Sequence, residues 1–109
     1  MLNISTQHIY FYQGHVNMHT SFDDLCSLVE RNFPDKLLTG SMFVFVNRQR
    51  NKLKILYWDS DGLAIWYKRL EKGTFRINKN GQSELSRREF LMLLEGIKPR
   101  VLNQRFFIK

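Results

Sequence analysis

This 109-residue chain has a single cysteine, Cys26, and no long apolar run. One cysteine cannot form an internal disulfide, so the sequence predicts a reduced compartment. Its apolar neighbours, Leu25, Leu28 and Val29, predict that the thiol is a small buried group. No segment approaches the roughly 18 apolar residues needed to cross a bilayer, and residues 1–12 lack the basic start and apolar core of a signal peptide. We therefore expect a cytoplasmic protein without a membrane span.

The sequence also lacks the common catalytic signatures. It contains neither a Gly-rich phosphate loop nor the Ser/His/Asp or Cys/His spacings of nucleophilic enzymes. No repeats or low-complexity segments are present. We therefore expect no catalytic residues and no cofactor, and a protein that is not an enzyme.

Two groups of residues leave a metal-based alternative open. His15 and His19 stand four residues apart, with His8 nearby, but no neighbouring carboxylate completes a ligand set. We favour surface or hydrogen-bonded histidines and expect no metal. Asp59 and Asp61 could hold a divalent cation, as nuclease carboxylates do, although two aspartates in a Gly-containing tetrapeptide more often form a turn. An enzyme built on this pair is the last-ranked alternative.

Length and composition predict one globular domain over residues 1–109, because 43% apolar and 14% aromatic content lies well away from disordered chains. We expect the tail from about residue 99 to be flexible or to dock on a partner. Its apolar group at residues 106–108 is a candidate for that contact.

Apolar spacing predicts the secondary structure. Residues 9–12 predict a first strand, and a capping box of Ser21 and Asp24 begins a helix of about three turns that ends before Pro34. A second box of Ser86 and Glu89 begins another helix, with Gly96 near its end. Between the helices we predict strands over residues 42–46, 52–58, 63–70 and 74–77, with turns at residues 59–62, 72–73 and 80–81. This order favours an α+β fold, an antiparallel β-meander of about four to five strands with two helices packed on one face.

The net charge of +7 is concentrated in one part of the chain. Residues 1–46 carry −2, residues 47–79 carry +6 and residues 80–109 carry +3. Clustering of this kind indicates an electrostatic binding surface rather than general solubility.

Within the basic stretch, cations alternate with aromatic residues, a combination suited to phosphate contact and base stacking. The alternative is that the aromatic residues are core and the cations a solvated face, and for Phe43, Phe45, Ile55 and Trp58 we favour core positions. The interleaved aromatic residues are Tyr57, Trp58, Trp66, Tyr67 and Phe75. The predicted nucleic-acid contacts are Arg48, Arg50, Lys52, Lys54, Lys68, Arg69, Lys72 and Arg76.

Several of these motifs, taken in order along the chain, resemble one protein family. It is the accessory protein, often called TnpB or Orf2-like, of the insertion sequence 66 family of bacterial transposable elements. The matching segments are SFD at residues 21–23, MFVF at 42–45, KILYWD at 54–59, DG at 61–62, YKRLEKG at 67–73, Phe75, and LMLLEGI at 91–97.

The resemblance implies a non-enzymatic protein that assists a separate transposase encoded by the same mobile element. Two segments depart from the family pattern. Residues 17–20 read Asn-Met-His-Thr where the family has Asp-Met-Arg-Lys, so two basic groups are missing. In the loop at residues 46–51, Arg48 is kept, but Arg50 replaces a glycine that the family favours.

Two binding functions follow as expectations. The first is contact with DNA, at the ends of the element, through the basic strands. The second is a protein adaptor that docks on the transposase, or on the other small protein of the element, through exposed aromatic residues and the C-terminal tail.

Overall fold

A computed structural model describes residues 8–77 and 83–95. Its elements in chain order are β1 (Ile9–Phe11), α1 (Phe22–Asn32), β2 (Met42–Val46), β3 (Lys52–Asp59), β4 (Gly62–Arg69), β5 (Glu84–Leu85) and α2 (Arg87–Glu95). The strands form one sheet in the order β4-β3-β2-β1-β5. β1 pairs in parallel with β2, whereas the β2–β3, β3–β4 and β1–β5 pairs are antiparallel. The sheet is therefore mixed, with the meander β2–β4 on one side.

The central strand β2 is buried on both faces, as its uninterrupted apolar sequence predicts. Successive side chains of a strand point to opposite faces. One face of β2 packs with Leu25 and Val29 of α1, and the other packs with Phe90 and Leu93 of α2. We call these the α1 face and the α2 face. The β2 residues on the α1 face are Phe43 and Phe45, and those on the α2 face are Met42, Val44 and Val46.

The α+β class is confirmed, but two details of the predicted architecture are not. A purely antiparallel meander is wrong, because β1 is parallel to β2. Two helices on one face are not confirmed, because α1 and α2 join different clusters on opposite faces. The physical reason is that a parallel pair needs a long crossover, here containing α1, whereas α2 follows the antiparallel strand β5. An apolar stripe predicts that a helix packs on the sheet, but it does not show which face of the sheet the helix covers.

Both predicted helix starts are confirmed by hydrogen bonds. The Asp24 N–H donates to Ser21 Oγ at 3.1 Å, so Ser21 caps α1. At α2 the contacts are reciprocal: the Glu89 N–H donates to Ser86 Oγ at 3.1 Å, and the Ser86 N–H donates to Glu89 Oε1 at 2.8 Å. Each contact satisfies a backbone donor that the first turn of a helix leaves without an intrahelical partner.

The predicted strand at residues 74–77 is absent, and β5 was not predicted. Phe75 is buried, and its N–H donates a hydrogen bond to the carbonyl of Arg50 in the β2–β3 loop, whereas residues 74–77 are not part of a strand. β5 has two residues, too few to show a period, and it forms only by pairing with the distant strand β1. The predicted turn at residues 80–81, Gly96 and the tail from residue 99 lie outside the described residues.

The turns at residues 59–62 and 72–73 are confirmed, with one change in their chemistry. The first turn consists of Ser60 and Asp61, and Ser60 takes the positive φ of 58°, whereas Gly62 begins β4. In the second turn Gly73 has a φ of 77°, which glycine adopts readily. Across residues 8–77 and 83–95, neither helix has the length and apolar character to span a membrane.

Candidate nucleic-acid interface

The β2–β3 loop is organised by the buried amide of Asn47. Its Oδ1 accepts hydrogen bonds from the N–H groups of Asn51 and Lys52, both at 3.0 Å. Its Nδ2 donates to Asn51 Oδ1 at 2.7 Å and to Gln49 Oε1 at 3.2 Å. The Arg50 N–H donates to the Asn47 carbonyl at 3.1 Å and closes a turn, with Arg50 in the left-handed region at a φ of 59°. The loop is therefore fixed by its own hydrogen bonds.

The segment after β4 is joined to this loop by two backbone hydrogen bonds. The Leu70 N–H donates to the Asn51 carbonyl at 2.8 Å, and the Phe75 N–H donates to the Arg50 carbonyl at 2.6 Å. Together residues 47–52 and 69–76 form one end of the sheet, which we call the basic end. Its only carboxylate is that of Glu71. Its cations are Arg48, Arg50, Lys52, Arg69, Lys72 and Arg76.

Two cations of the basic end face each other across the β3–β4 ladder. Lys52 pairs with Arg69, and like charges in directly opposed positions destabilise a sheet. Arg69 Nε donates to Glu71 Oε2 at 3.0 Å, but the two side chains are 64% and 78% exposed. An ion pair this exposed adds little stability. A bound anion would relieve the repulsion between Lys52 and Arg69.

The remaining two predicted contact residues, Lys54 and Lys68, lie on opposite faces of the sheet. Lys54 is on the α1 face, where its Nζ donates to the Met18 carbonyl at 2.6 Å and lies 5.2 Å from the centroid of the Tyr67 ring. Lys68 is on the α2 face, and its Nζ donates to the Leu94 carbonyl at 2.7 Å. Six of the eight predicted residues thus converge at the basic end, while the ammonium groups of the other two bind backbone carbonyls.

Only two of the five interleaved aromatic residues are well exposed. Trp58 is 37% and Tyr67 50% exposed, whereas Tyr57 and Phe75 are buried and Trp66 packs against the α2-face cluster. The predicted core position is therefore wrong for Trp58, which lies beside the β3–β4 turn on an outer pair of strands. Tyr67, beside Lys54, is the aromatic residue best placed to stack on a base near the cations.

The connection between β1 and α1 forms a wall opposite the β2–β3 loop. The Val16 N–H donates to the Val46 carbonyl at 2.9 Å, and Lys54 binds the Met18 carbonyl. An open pocket of about 490 Å³ lies between the connection and the loop. Among residues 8–77 and 83–95, no acidic side chain lines it. The lining residues are His15, Val16, Asn17, Met18, His19, Asn47, Arg48, Gln49 and Lys52.

Nothing in the sequence joins His15 and His19 to the basic stretch, which lies about thirty residues further along the chain. The parallel pairing of β1 with β2 brings the residues that follow both strands to the same end of the sheet. Predicting this proximity would have required the direction of β1 relative to β2. The sequence of a three-residue strand does not show that direction.

The histidine pair and the aspartate pair, which the sequence left open as metal sites, do not belong to a ligand set within the described residues. Among residues 8–77 and 83–95, no three His, Cys, Asp or Glu side chains are grouped so that they could hold a metal ion. Asp59 ends β3, and Asp61 lies in the following turn. Cys26 is half-buried, and burial, with smaller contributions from Asp23 and Glu30, raises the pKa of its thiol. The thiol therefore stays protonated at neutral pH, and a protonated thiol is a poor nucleophile.

Comparisons with known proteins agree with the motif pattern. The profile of the family described as "IS66 Orf2 like protein" matches residues 7–104, nearly the whole chain. An uncharacterized protein, y4hO, from Sinorhizobium fredii (strain NBRC 101917 / NGR234) is 30% identical over 91 residues, which cover 82% of this chain and 79% of that protein. A second uncharacterized protein of the same strain, y4jC, is 35% identical over 60 residues, covering 53% of this chain and 51% of that protein.

No solved structure gives a significant match to the chain. The family match extends through both faces of the sheet and includes every residue of the basic end. The chain therefore belongs to the IS66 Orf2-like family, a family of insertion-sequence proteins connected with transposition.

Proposed function

We propose that this protein is a non-enzymatic accessory factor of transposition that binds duplex DNA, including the ends of its element, through the basic end of the sheet. The cytoplasm, which holds the element's DNA and its transposase, is the proposed compartment. The contacts are assigned to Arg48, Arg50, Lys52, Arg69, Lys72 and Arg76, whereas Lys54 borders them on the α1 face and Lys68 has a structural role on the α2 face.

One observation carries the proposal. Two hydrogen bonds, from Leu70 to Asn51 and from Phe75 to Arg50, join the loop and the segment after β4, so cations distant in sequence share one surface. The fixed loop geometry means that little conformational freedom is lost when DNA binds. The cations of the basic end, with one carboxylate among them, attract a polyanion within about a Debye length more strongly than the same charges scattered evenly would.

The proposal is tested by measuring fluorescence anisotropy of a labelled duplex at salt concentrations from about 50 to 200 mM. With about five phosphates neutralised, the plot of log affinity against log salt should have a slope of about −4 to −5. A duplex from the element's end and an unrelated duplex separate sequence preference from general phosphate contact. An affinity that does not change with salt, or no binding at low salt, contradicts the proposal.

A pair of triple variants locates the contact surface. Replacing Arg48, Lys72 and Arg76 by Gln should make the slope shallower by about 3, since each phosphate contact contributes about 0.9. The control replaces Arg31, in the last turn of α1, and Arg87 and Arg88, at the start of α2, by Gln and removes the same charge from outside the basic end. Equal losses in the two variants would show that only net charge matters.

A protein adaptor is the second candidate, because Trp58 and Tyr67 expose aromatic surface on the α1 face. Its partner would be the transposase, or the other small protein of the element. Co-purification with the transposase that survives nuclease treatment, and is lost in Trp58→Ala with Tyr67→Ala, would support it. Recovery that depends entirely on DNA would favour the first function.

A further inference from the structure

We propose that the pocket between the β1–α1 connection and the β2–β3 loop seats a DNA phosphate, held by His15 and His19 together with Arg48 and Lys52. The inference rests on the proposed function, since the phosphate is taken to belong to bound DNA. It adds two residues to the interface and makes DNA binding sensitive to pH.

Both walls of the pocket are fixed in the absence of a ligand. The connection is tied to the sheet where Val16, a buried residue, donates to Val46 and where Lys54 binds the Met18 carbonyl. Within the connection, the His19 N–H donates to Asn17 Oδ1 at 2.8 Å. The facing wall is the loop held by the Asn47 amide. The backbone that carries the donors is therefore already in place, and binding has to order only their exposed side chains.

The chemistry of the lining suits an anion. Arg48 and Lys52 carry permanent charge on one wall, His15 and His19 lie on the other, and none of the described residues that line the pocket is a carboxylate. Phosphate oxygens accept hydrogen bonds from all three side-chain types. The open volume of about 490 Å³ is many times the roughly 10–15 Å³ that a single water molecule requires, so the pocket has room for a phosphate group.

The two imidazoles make the occupancy of the pocket depend on pH. Imidazoles gain a proton as the pH falls from about 8 to 5. In the described part of the chain, the charged groups facing them are Arg48 and Lys52 on the opposite wall and Lys54 beside Met18. A phosphate seated among these groups favours the charged form of an imidazole. Binding therefore takes up protons and strengthens as the pH falls.

The experiment measures duplex affinity by anisotropy at pH values of about 7.5 and 6.0. Phosphodiesters keep one negative charge across this range, so the probe itself does not titrate. Wild-type protein should bind about fivefold more tightly at the lower pH, the effect expected of two exposed charge contacts. The double variant His15→Gln/His19→Gln should lose this gain.

The matched control is His8→Gln. His8 is exposed and bonded to Glu84 at 2.8 Å, at the end of β1 opposite the pocket, so this variant should respond to pH as the wild type does. His15 and His19 are also exposed, and urea denaturation should show that the double variant keeps wild-type stability.

NMR distinguishes the pocket from a general effect of pH. Titration with inorganic phosphate, and separately with the duplex, should shift the imidazole resonances of His15 and His19 but not that of His8. Salt-dependent DNA binding with the same pH response in wild type and double variant would overturn the pocket and leave the proposed function standing. No binding of wild-type protein at low salt would overturn both.

Discussion

The backbone conformation of Arg50 links the stability of the β2–β3 loop to its charge. Arg50 has a φ of 59°, a region that costs a residue with a Cβ about 1–2 kcal/mol. Glycine avoids this strain but loses about 0.5–1 kcal/mol through its greater freedom in the unfolded chain. We expect Arg50→Gly to raise the free energy of unfolding by up to about 1 kcal/mol in urea titrations.

The same variant should make the salt slope of DNA binding shallower by about 0.9. Arg50→Lys is the control, because it keeps both the charge and the strained conformation. It should therefore change neither quantity by much. A loss of stability in Arg50→Gly would mean that the Arg50 side chain contributes contacts to the folded loop.

At the scale of single residues, charge could be predicted from the sequence and loop architecture could not. Arg48, Lys72 and the other cations are evident from composition. The role of Asn47 depends on hydrogen bonds to residues that a turn must first bring near, and His15 depends on a strand pairing. The charge of Arg50 is also evident, but its backbone conformation was signalled only by the glycine that the resembling family favours at this position.

Lys68 joins β4 to the C-terminal turn of α2. Its Nζ donates to the Leu94 carbonyl at 2.7 Å, where the partial negative charge of the helix end favours a cation. Lys68→Met keeps the apolar stem but removes the ammonium group, and it should lower the free energy of unfolding by about 1 kcal/mol. Its salt slope for DNA should match the wild type.

Lys72→Met is the matched control for this element. Lys72 is exposed at the basic end, so the control should make the salt slope shallower by about 0.9 and leave the urea midpoint unchanged. The reverse pattern in the two variants would assign Lys68 to the interface and contradict its structural role.

Elements specified by local contacts were predictable. Both capping boxes, the apolar strand β2 and the alternation of β3 are each defined by residues only a few positions apart, so the sequence pattern shows them directly. Elements that need a distant partner were not: β5 exists through pairing with β1, and residues 74–77 gained a loop contact in place of a ladder. The direction of β1 and the face covered by each helix also depend on contacts between distant residues, so the sequence pattern does not show them.

In the molecule as a whole, two apolar clusters meet at β2, and Phe43 is fully buried among the residues on its α1 face. Phe43→Ala should cost about 3–5 kcal/mol, which urea denaturation would detect as a lower midpoint. Phe22→Ala is the control, because Phe22 is 43% exposed at the start of α1 and should cost far less. Similar losses in both variants would contradict the difference in burial between Phe43 and Phe22.

Charge is distributed unevenly over the molecule. Residues 1–46 carry −2 and residues 47–79 carry +6, and the fold gathers most of these cations at the basic end. Such a separation orients the protein in the field of a polyanion before contact, which raises the association rate at low salt.

The position of β1 between β2 and β5 also affects the order of folding. The meander β2–β4 can form through short hairpin loops, whereas β1 pairs with residues more than thirty positions away and β5 with residues more than seventy positions away. Closing long loops is entropically costly, and non-local pairing slows folding. The meander should therefore fold first, and β5 can join the sheet only after β1 has docked. The pocket wall formed by His15 and His19 is consequently assembled late, after the cations it faces are already in place.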